Sequence, residues 1–293
     1  MSDAMAVFDR RCVRRHRDRA AAGLGQHDFL LVEVAARLAE RLDEIRRRFP
    51  RALDLGCRDG ALGRAIDGRS GIERLVSCDL SGAMVVQSPG LRLVADEEYL
   101  PFAPACFDLI VSSLSLHWVN DLPGTLIQIR DSLKPDGLFL ATLFGGGTLA
   151  ELREAFLAAE AECEDGASPR VSPFADVPDA GALLQRAGFA LPVVDSDRIT
   201  VTYDDPLNLM ADLRGMGETN AAVSRRRRFT RRTTMMAAAQ AYRDRFADPD
   251  GRIRATFQVI YLTAWHPHES QPKAVPRGSA EVSLATALGP KKD

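Results

Sequence analysis

Residues 52–60 read ALDLGCRDG. An apolar run ends in Asp54, and Gly56 and Gly60 follow, four positions apart, with Arg58 between them. A glycine-rich turn from a strand into a helix lets a ligand approach the backbone closely. A nicotinamide dinucleotide asks for G-x-G-x-x-G, with its pyrophosphate on the helix N-terminus. The spacing here is G-x-x-x-G, and Asp54 would repel a pyrophosphate.

Outward from this loop, strand and helix signals alternate. RALDL (51–55) reads as a short buried strand and ALGRAI (61–66) as the start of a helix. ERLVSCDL (73–80), GLRLVAD (90–96) and FDLIVSSLSL (107–116) read as a second, third and fourth strand. NDLPGTLIQIRDSLKPDG (120–137) reads as a helix capped by Asn120 or Asp121, with Pro123 in its first turn and Gly137 beyond its end. GLFLATLF (137–144) is the fifth strand. Such alternation implies βαβ units around a parallel sheet, which binds ligands at the C-terminal ends of its strands. Upstream, FLLVEVAARLAERLDEIRRRF (29–49) has helical periodicity up to Pro50. Downstream, Thr148 and Glu151 have the spacing of a capping box, and DAGALLQRAGF (179–189) reads as a helix ended by Gly188. VVDSDRITVTY and RATFQVIYLTAW are strand candidates. Between them, residues 205–248 hold two helical stretches divided by SRRRRFTRR (224–232). From His266 the chain is rich in Pro, Ser and Gly and reads as irregular.

Asp79 ends the second strand, where an acid can accept both ribose hydroxyls, and Asp96 ends the third, where it can accept from an adenine amino group. Three acids on successive strands suit a cationic nucleoside. S-adenosylmethionine, with an ammonium, a sulfonium and no phosphate, fits that requirement. The competing reading of each acid is a turn or helix cap.

The chain has 293 residues, 46% hydrophobic and 27% charged, with a net charge of −2. That length suits one core domain with an attached subdomain, and the charge gives no general attraction to nucleic acid or membrane. Basic charge is nearly all arginine, as a GC-rich genome would give. Five scattered cysteines, Cys12, Cys57, Cys78, Cys106 and Cys163, form no C-x-x-C, so neither a disulfide framework nor a zinc site is expected. With no apolar run of about 18 residues and no secretory h-region, the expected location is a bacterial cytoplasm.

DLGCRDG, CDLSGAM, ADEEYLPF and LKPDG, in this order, resemble the class I S-adenosylmethionine-dependent methyltransferases. The resemblance implies an α/β, Rossmann-like fold: a seven-stranded, mostly parallel sheet with a reversed last hairpin, helices on both faces and a helical lid. It divides the chain into an N-terminal helical segment (1–49), a cofactor-binding core (50–145) and a completing part with the lid and an irregular tail (146–293). It implies that Asp54, Gly56 and Gly60 hold the methionine moiety, Asp79 the ribose, and Asp96 with the Glu97 backbone the adenine. Cys57, Leu80 and Ser112 complete the expected cofactor set. Arg58 stands where that family usually has glycine. It would either crowd the methionine end or meet the cofactor carboxylate.

SSLSLHWVNDLP (112–123), FGG, TLAELR, SPF (172–174), DLRGMGETN (212–220), ATFQVIYLTAWHPHESQ (255–271) and RGSAEVS (277–283) closely resemble the assembly factor of respiratory NADH:ubiquinone oxidoreductase, complex I. That implies arginine hydroxylation on a subunit of the complex, on a methyltransferase fold, at or near the inner membrane through its substrate. A more distant resemblance is to the malonyl-acyl-carrier-protein O-methyltransferase of biotin synthesis, which would make an acyl-carrier protein the partner. Gly147 stands where the assembly-factor family usually has an acid.

His117 and Trp118 follow the fourth strand and should face the cleft, as a general base and a pocket wall or as a packed rim pair. HPHE (266–269) offers two imidazoles and a carboxylate, but Pro267 separates the histidines and a surface loop is the favoured reading. Arg225–Arg228 with Arg231 and Arg232 read first as a solvated run, second as a dock for an acidic partner. MGETN (216–220) reads as lid or as plain turn.

Overall fold

The computed structural model describes residues 6–164 and 166–272. RGSAEVS (277–283) lies outside them. The sheet runs β1 (Arg51–Leu55), β2 (Arg74–Asp79), β3 (Leu91–Val94), β4 (Phe107–Ser113), β5 (Leu133–Phe144), β6 (Ala190–Tyr203) and β7 (Ile253–Trp265). Their order is β3-β2-β1-β4-β5-β7-β6. The first five pair in parallel, and β7 runs antiparallel between β5 and β6. This is the expected mostly parallel seven-stranded sheet with its reversed final hairpin. β1 lies at the centre, and its Leu53, Asp54 and Leu55 are fully buried.

Helices cover both faces. On one side α2 (Phe29–Asp43) lays Leu31, Val34, Leu38 and Leu42 against Leu109, Val111 and Leu140 of the sheet. Each such buried leucine contributes roughly 1.5–3 kcal/mol. The short α3 (Ala61–Ala65) and α4 (Gly82–Val85) add Leu62 and Met84 to this layer. On the other side α5 (Leu122–Ser132) and α7 (Val177–Arg186) bury Leu126, Ile129 and Leu184 against Phe139 and Leu262. Between β5 and α7, α6 (Ala150–Cys163) packs against α9 (Arg232–Phe246), and α8 (Pro206–Gly215) touches both α9 and β6.

Within the N-terminal segment expected to be helical, residues 10–20 form α1, an Arg-rich helix with Asp9 capping Cys12 N–H. Three details depart from the sequence reading. The helix expected over 29–49 stops at Asp43, because Phe49 N–H is drawn to Ser70 O at 2.8 Å and its ring is buried near Trp265. LKPDG opens β5 rather than closing α5, while Asp121 supplies the cap, accepting from Gly124 N–H. The capping box does not form. Thr148 bonds both the N–H and the C=O of Gln258, and Glu151 accepts from Thr256, so both side chains tie α6 to β7.

Candidate active site

The C-terminal ends of β1, β2, β3 and β4 converge on one cleft. Gly56 and Cys57 N–H groups donate to Cys78 O at 2.7 and 2.9 Å, which folds the first loop across β2. Gly56 and Gly60 have φ +70° and +85°. A side chain at Gly56 would meet Ser115 Oγ at 2.0 Å, and one at Gly60 would meet Pro89 Cδ at 2.4 Å. Both positions therefore admit only glycine without local rearrangement.

Asp54, Asp79 and Glu97 are all fully buried here. Asp54 has no hydrogen-bond partner for either carboxylate oxygen among the described residues. Burial, and then the neighbouring charge of Asp79, push its pKa up to about 7. Asp79 accepts from Ser81 N–H at 2.7 Å and from Arg58 N–H at 3.0 Å. Glu97, rather than Asp96, sends the deeper side chain into the cleft. Asp96 stays part-exposed and pairs with Arg10 at 2.5 Å. Ser112 is buried in β4 with an unpartnered hydroxyl, while Cys57 packs its sulfur 3.2 Å from Ser88 Oγ. Leu80 packs beside Phe8, Cys12, Val13 and Trp118.

Helix α1 supplies residues that sequence reasoning missed. The guanidinium of Arg17, fully buried, bridges Asp79 (3.0 Å), Glu97 (2.9 Å) and Ser115 Oγ (2.8 Å). Arg10, two turns earlier on the same face, pairs with Asp96 and Glu97. Glu97 consequently stays ionised well below the usual carboxylate range despite its burial; the two arginines outweigh the desolvation. The seven-residue spacing of Arg10 and Arg17 was the one available signal.

The other side of the cleft is built from the β4 turn and MGETN. His117 and Trp118 are buried. Their rings join Phe8, Phe144 and Phe174 in one aromatic cluster. His117 Nε2 and Trp118 Nε1 lie 3.2 and 3.1 Å from Glu218 Oε2. Burial, then the charges of Arg58 and Arg17, push the imidazole pKa below its ordinary value, and its Nδ1 has no partner among the described residues. Arg58 lines the small void beside Asp54 and Gly56 with its neighbours in the loop. It turns to Glu218, Leu114 O and Met216 O. Glu218 lies in MGETN, read as lid or turn, but was not itself singled out as a site residue.

A cavity of about 280 Å³ adjoins this cluster, lined by Glu218, Phe174, Leu149, Met210 and Met235 with Arg170, Arg214, Arg225 and Arg226. Arg225 pairs with Asp9, and Arg226 with Glu164, so part of the basic run is tied down internally. His266 and His268 lie beyond β7, bonded to Pro267 O and Ser270 Oγ. Gly147 faces Gln258, whose Oε1 accepts its N–H and would stand 2.8 Å from any added Cβ.

The acids fit a cationic nucleoside by charge. By space, they fit only with α1 displaced. Arg17 lies between Asp79 and Glu97, and the void beside Asp54, Gly56, Cys57 and Arg58 is about 10 Å³, room for one water at most.

Residues 53–141 match the model of a methyltransferase domain. The mitochondrial arginine-hydroxylase NDUFAF5 of Danio rerio is 44% identical over 96% of this chain and 89% of its own length. A malonyl-[acyl-carrier protein] O-methyltransferase of Xylella fastidiosa (strain M23) is 37% identical over 89% of each chain. Among solved structures, phosphoethanolamine N-methyltransferase 2 of Haemonchus contortus, in complex with S-adenosyl-L-methionine, superposes with a TM-score of 0.56 at 16% identity. That likeness covers 87% of this chain and 60% of the other, and it shows the fold.

Proposed function

Because the chain carries a methyltransferase domain and belongs to the family of the NDUFAF5 arginine hydroxylases, we propose that it binds S-adenosylmethionine and modifies a protein arginine during assembly of respiratory complex I. The observation that carries the cofactor reading is the set of three fully buried carboxylates, Asp54, Asp79 and Glu97, on neighbouring strand ends, with Asp54 unpartnered. A buried carboxylate without a partner is costly, and a cationic ligand removes that cost. When bound, the cofactor supplies an electrophilic methyl on a sulfonium. Asp54 would hold its ammonium between Gly56 and Gly60, Asp79 the ribose, and Glu97 with Asp96 the adenine edge, while Cys57, Leu80 and Ser112 line the cleft. His117 has a free ring nitrogen with which to take a proton, and Trp118 walls the pocket. In this reading 1–49 is the entrance segment, 50–145 the cofactor core, and 146–293 the part that faces the protein substrate. The setting is the bacterial cytoplasm beside the inner membrane. Among the described residues no helix is long and apolar enough to cross a membrane.

Deleting the gene should leave an arginine of complex I unmodified by mass spectrometry, which also separates an added oxygen from an added methyl. Unchanged modification refutes the reading. One observation favours a second reading, an O-methyltransferase acting on a malonyl-acyl-carrier protein: four arginines line the cavity beside His117. Methyl transfer to that substrate in vitro, with rescue of a biotin auxotroph, would establish it; failure of both removes it.

A further inference from the structure

A guanidinium is held inside this site by three acceptors. Arg58 Nη1 donates to Met216 O at 2.9 Å, and Nη2 donates to Leu114 O at 2.9 Å and to Glu218 Oε1. The side chains of Arg58 and Glu218 are 3% and 4% exposed. Three features mark the cradle as more than a chance ion pair. Glu218 is aimed independently of Arg58, because Trp118 Nε1 and His117 Nε2 hold its other oxygen. Two non-glycine residues at the cradle, Arg58 and Leu114, have left-handed backbones, φ 50° and 46°. Strain of that kind collects at functional sites. Finally, Glu218 also lines the cavity of about 280 Å³. A long side chain entering there would bring its terminal group to the carboxylate.

We propose that Glu218 with the carbonyls of Leu114 and Met216 is the subsite for a substrate guanidinium, and that Arg58 occupies it from within the chain. The identity of the guest rests on the arginine reading given above; the cradle itself does not. Fork-shaped recognition by a carboxylate and two carbonyls is selective for guanidinium over ammonium. The cavity's own arginines do not oppose this strongly. Arg225 is paired with Asp9, Arg170 with Glu160 and Arg226 with Glu164, while Arg214 is exposed. An incoming arginine has to displace Arg58, so Arg58 sets the affinity for substrate.

The test is guest rescue. Arg58→Gly suits the left-handed backbone and empties the cradle. Millimolar methylguanidinium should raise its melting temperature, while methylammonium should not. Neither wild type nor Arg58→Gly/Glu218→Gln should respond. An arginine-containing peptide should bind Arg58→Gly about tenfold or more tighter than wild type, the effect of roughly one lost competing charge-assisted bond. Should Arg58→Gly not fold because Glu218 is left unpaired, refolding it with methylguanidinium is the same test. Recovery supports the subsite, and failure to recover while the double variant folds overturns it. Equal responses to the two cations also overturn it. Selective methylguanidinium rescue with no arginine modification in cells sinks the arginine reading and leaves the cradle standing. Modification without rescue does the reverse.

Discussion

Asp54→Asn should make the ligand-free protein more stable at alkaline pH. Asp54 is fully buried, without a side-chain hydrogen-bond partner among the described residues, and its pKa moves from 3.8 to about 7. A folded-state pKa above the unfolded value means that the native state binds more protons between those two pH values. Stability therefore falls as pH rises from about 4 to about 7, and it stays reduced above that. At 1.36 kcal/mol per pKa unit the loss approaches about 4 kcal/mol. Asparagine keeps the shape and cannot ionise, but its amide is left without partners, at a cost of about 1–3 kcal/mol. The net gain over wild type above about pH 8 is then about 1–3 kcal/mol, falling to zero or below near pH 4. Urea unfolding of both proteins across this range measures it. The difference between them is the quantity to read, because buried His16, its pKa lowered to about 4 chiefly by desolvation, gives a pH dependence of opposite sign common to both. A difference that does not change with pH would show that Asp54 is ionised and solvated, and the argument for a cation-seeking carboxylate would fail.

Other outcomes follow from the same geometry. Arg17→Ala leaves Asp79 and Glu97 short of a buried partner, which should cost about 3–5 kcal/mol. S-adenosylmethionine should then raise the melting temperature more in this variant than in wild type, and an equal rise would show that α1 does not compete with the cofactor. Gly60→Ala combines a backbone at φ +85° with a contact of 2.4 Å to Pro89, so calorimetry should find it destabilised by more than about 1 kcal/mol and weaker for the cofactor. Glu160 accepts from Ser168 N–H, Ser168 Oγ and Arg170 Nε. Glu160→Ala should release that loop, and limited proteolysis should then cut near residues 166–172; unchanged resistance would show that the loop is held elsewhere.

The parallel half of the sheet was legible because β1, β2 and β4 are short apolar runs between turn residues, and because Asp54 and Asp79 lie at the ends of theirs. Helix α1 lies within the segment expected to be helical, and its buried face, Cys12, Val13, His16, Arg17 and Ala20, keeps helical spacing. What escaped was the place of Arg17 on that face, because an arginine reads as solvated until its acidic partners are in view. Thr148 and Glu151 misled for a different reason: local spacing suggested a cap, but β7, more than 100 residues later, offered both side chains better partners. MGETN was read as lid or turn, but the role of Glu218 within it was not legible, since only the folded chain brings it to His117, 101 positions away. Asp96 and Glu97 were both placed at the adenine end. Which of two adjacent acids turns inward depends on Arg10 and Arg17, invisible until α1 was docked.

The first described residues lie against some of the last. Asp9 N–H bonds Ala221 O, Val223 N–H bonds Val7 O, and His16 Nδ1 lies 3.0 Å from Thr219 O. On a ribosome adding about 5–20 residues per second, these partners emerge roughly 10–40 s after α1 does. The parallel core through β5 is synthesised within that interval, and with it Asp79, Glu97 and Ser115, the partners of Arg17. Helix α1 can therefore reach the acidic cleft before residues 219–223 exist to hold it there. The late contacts of residues 219–223 then fix, rather than create, the cover over the cleft.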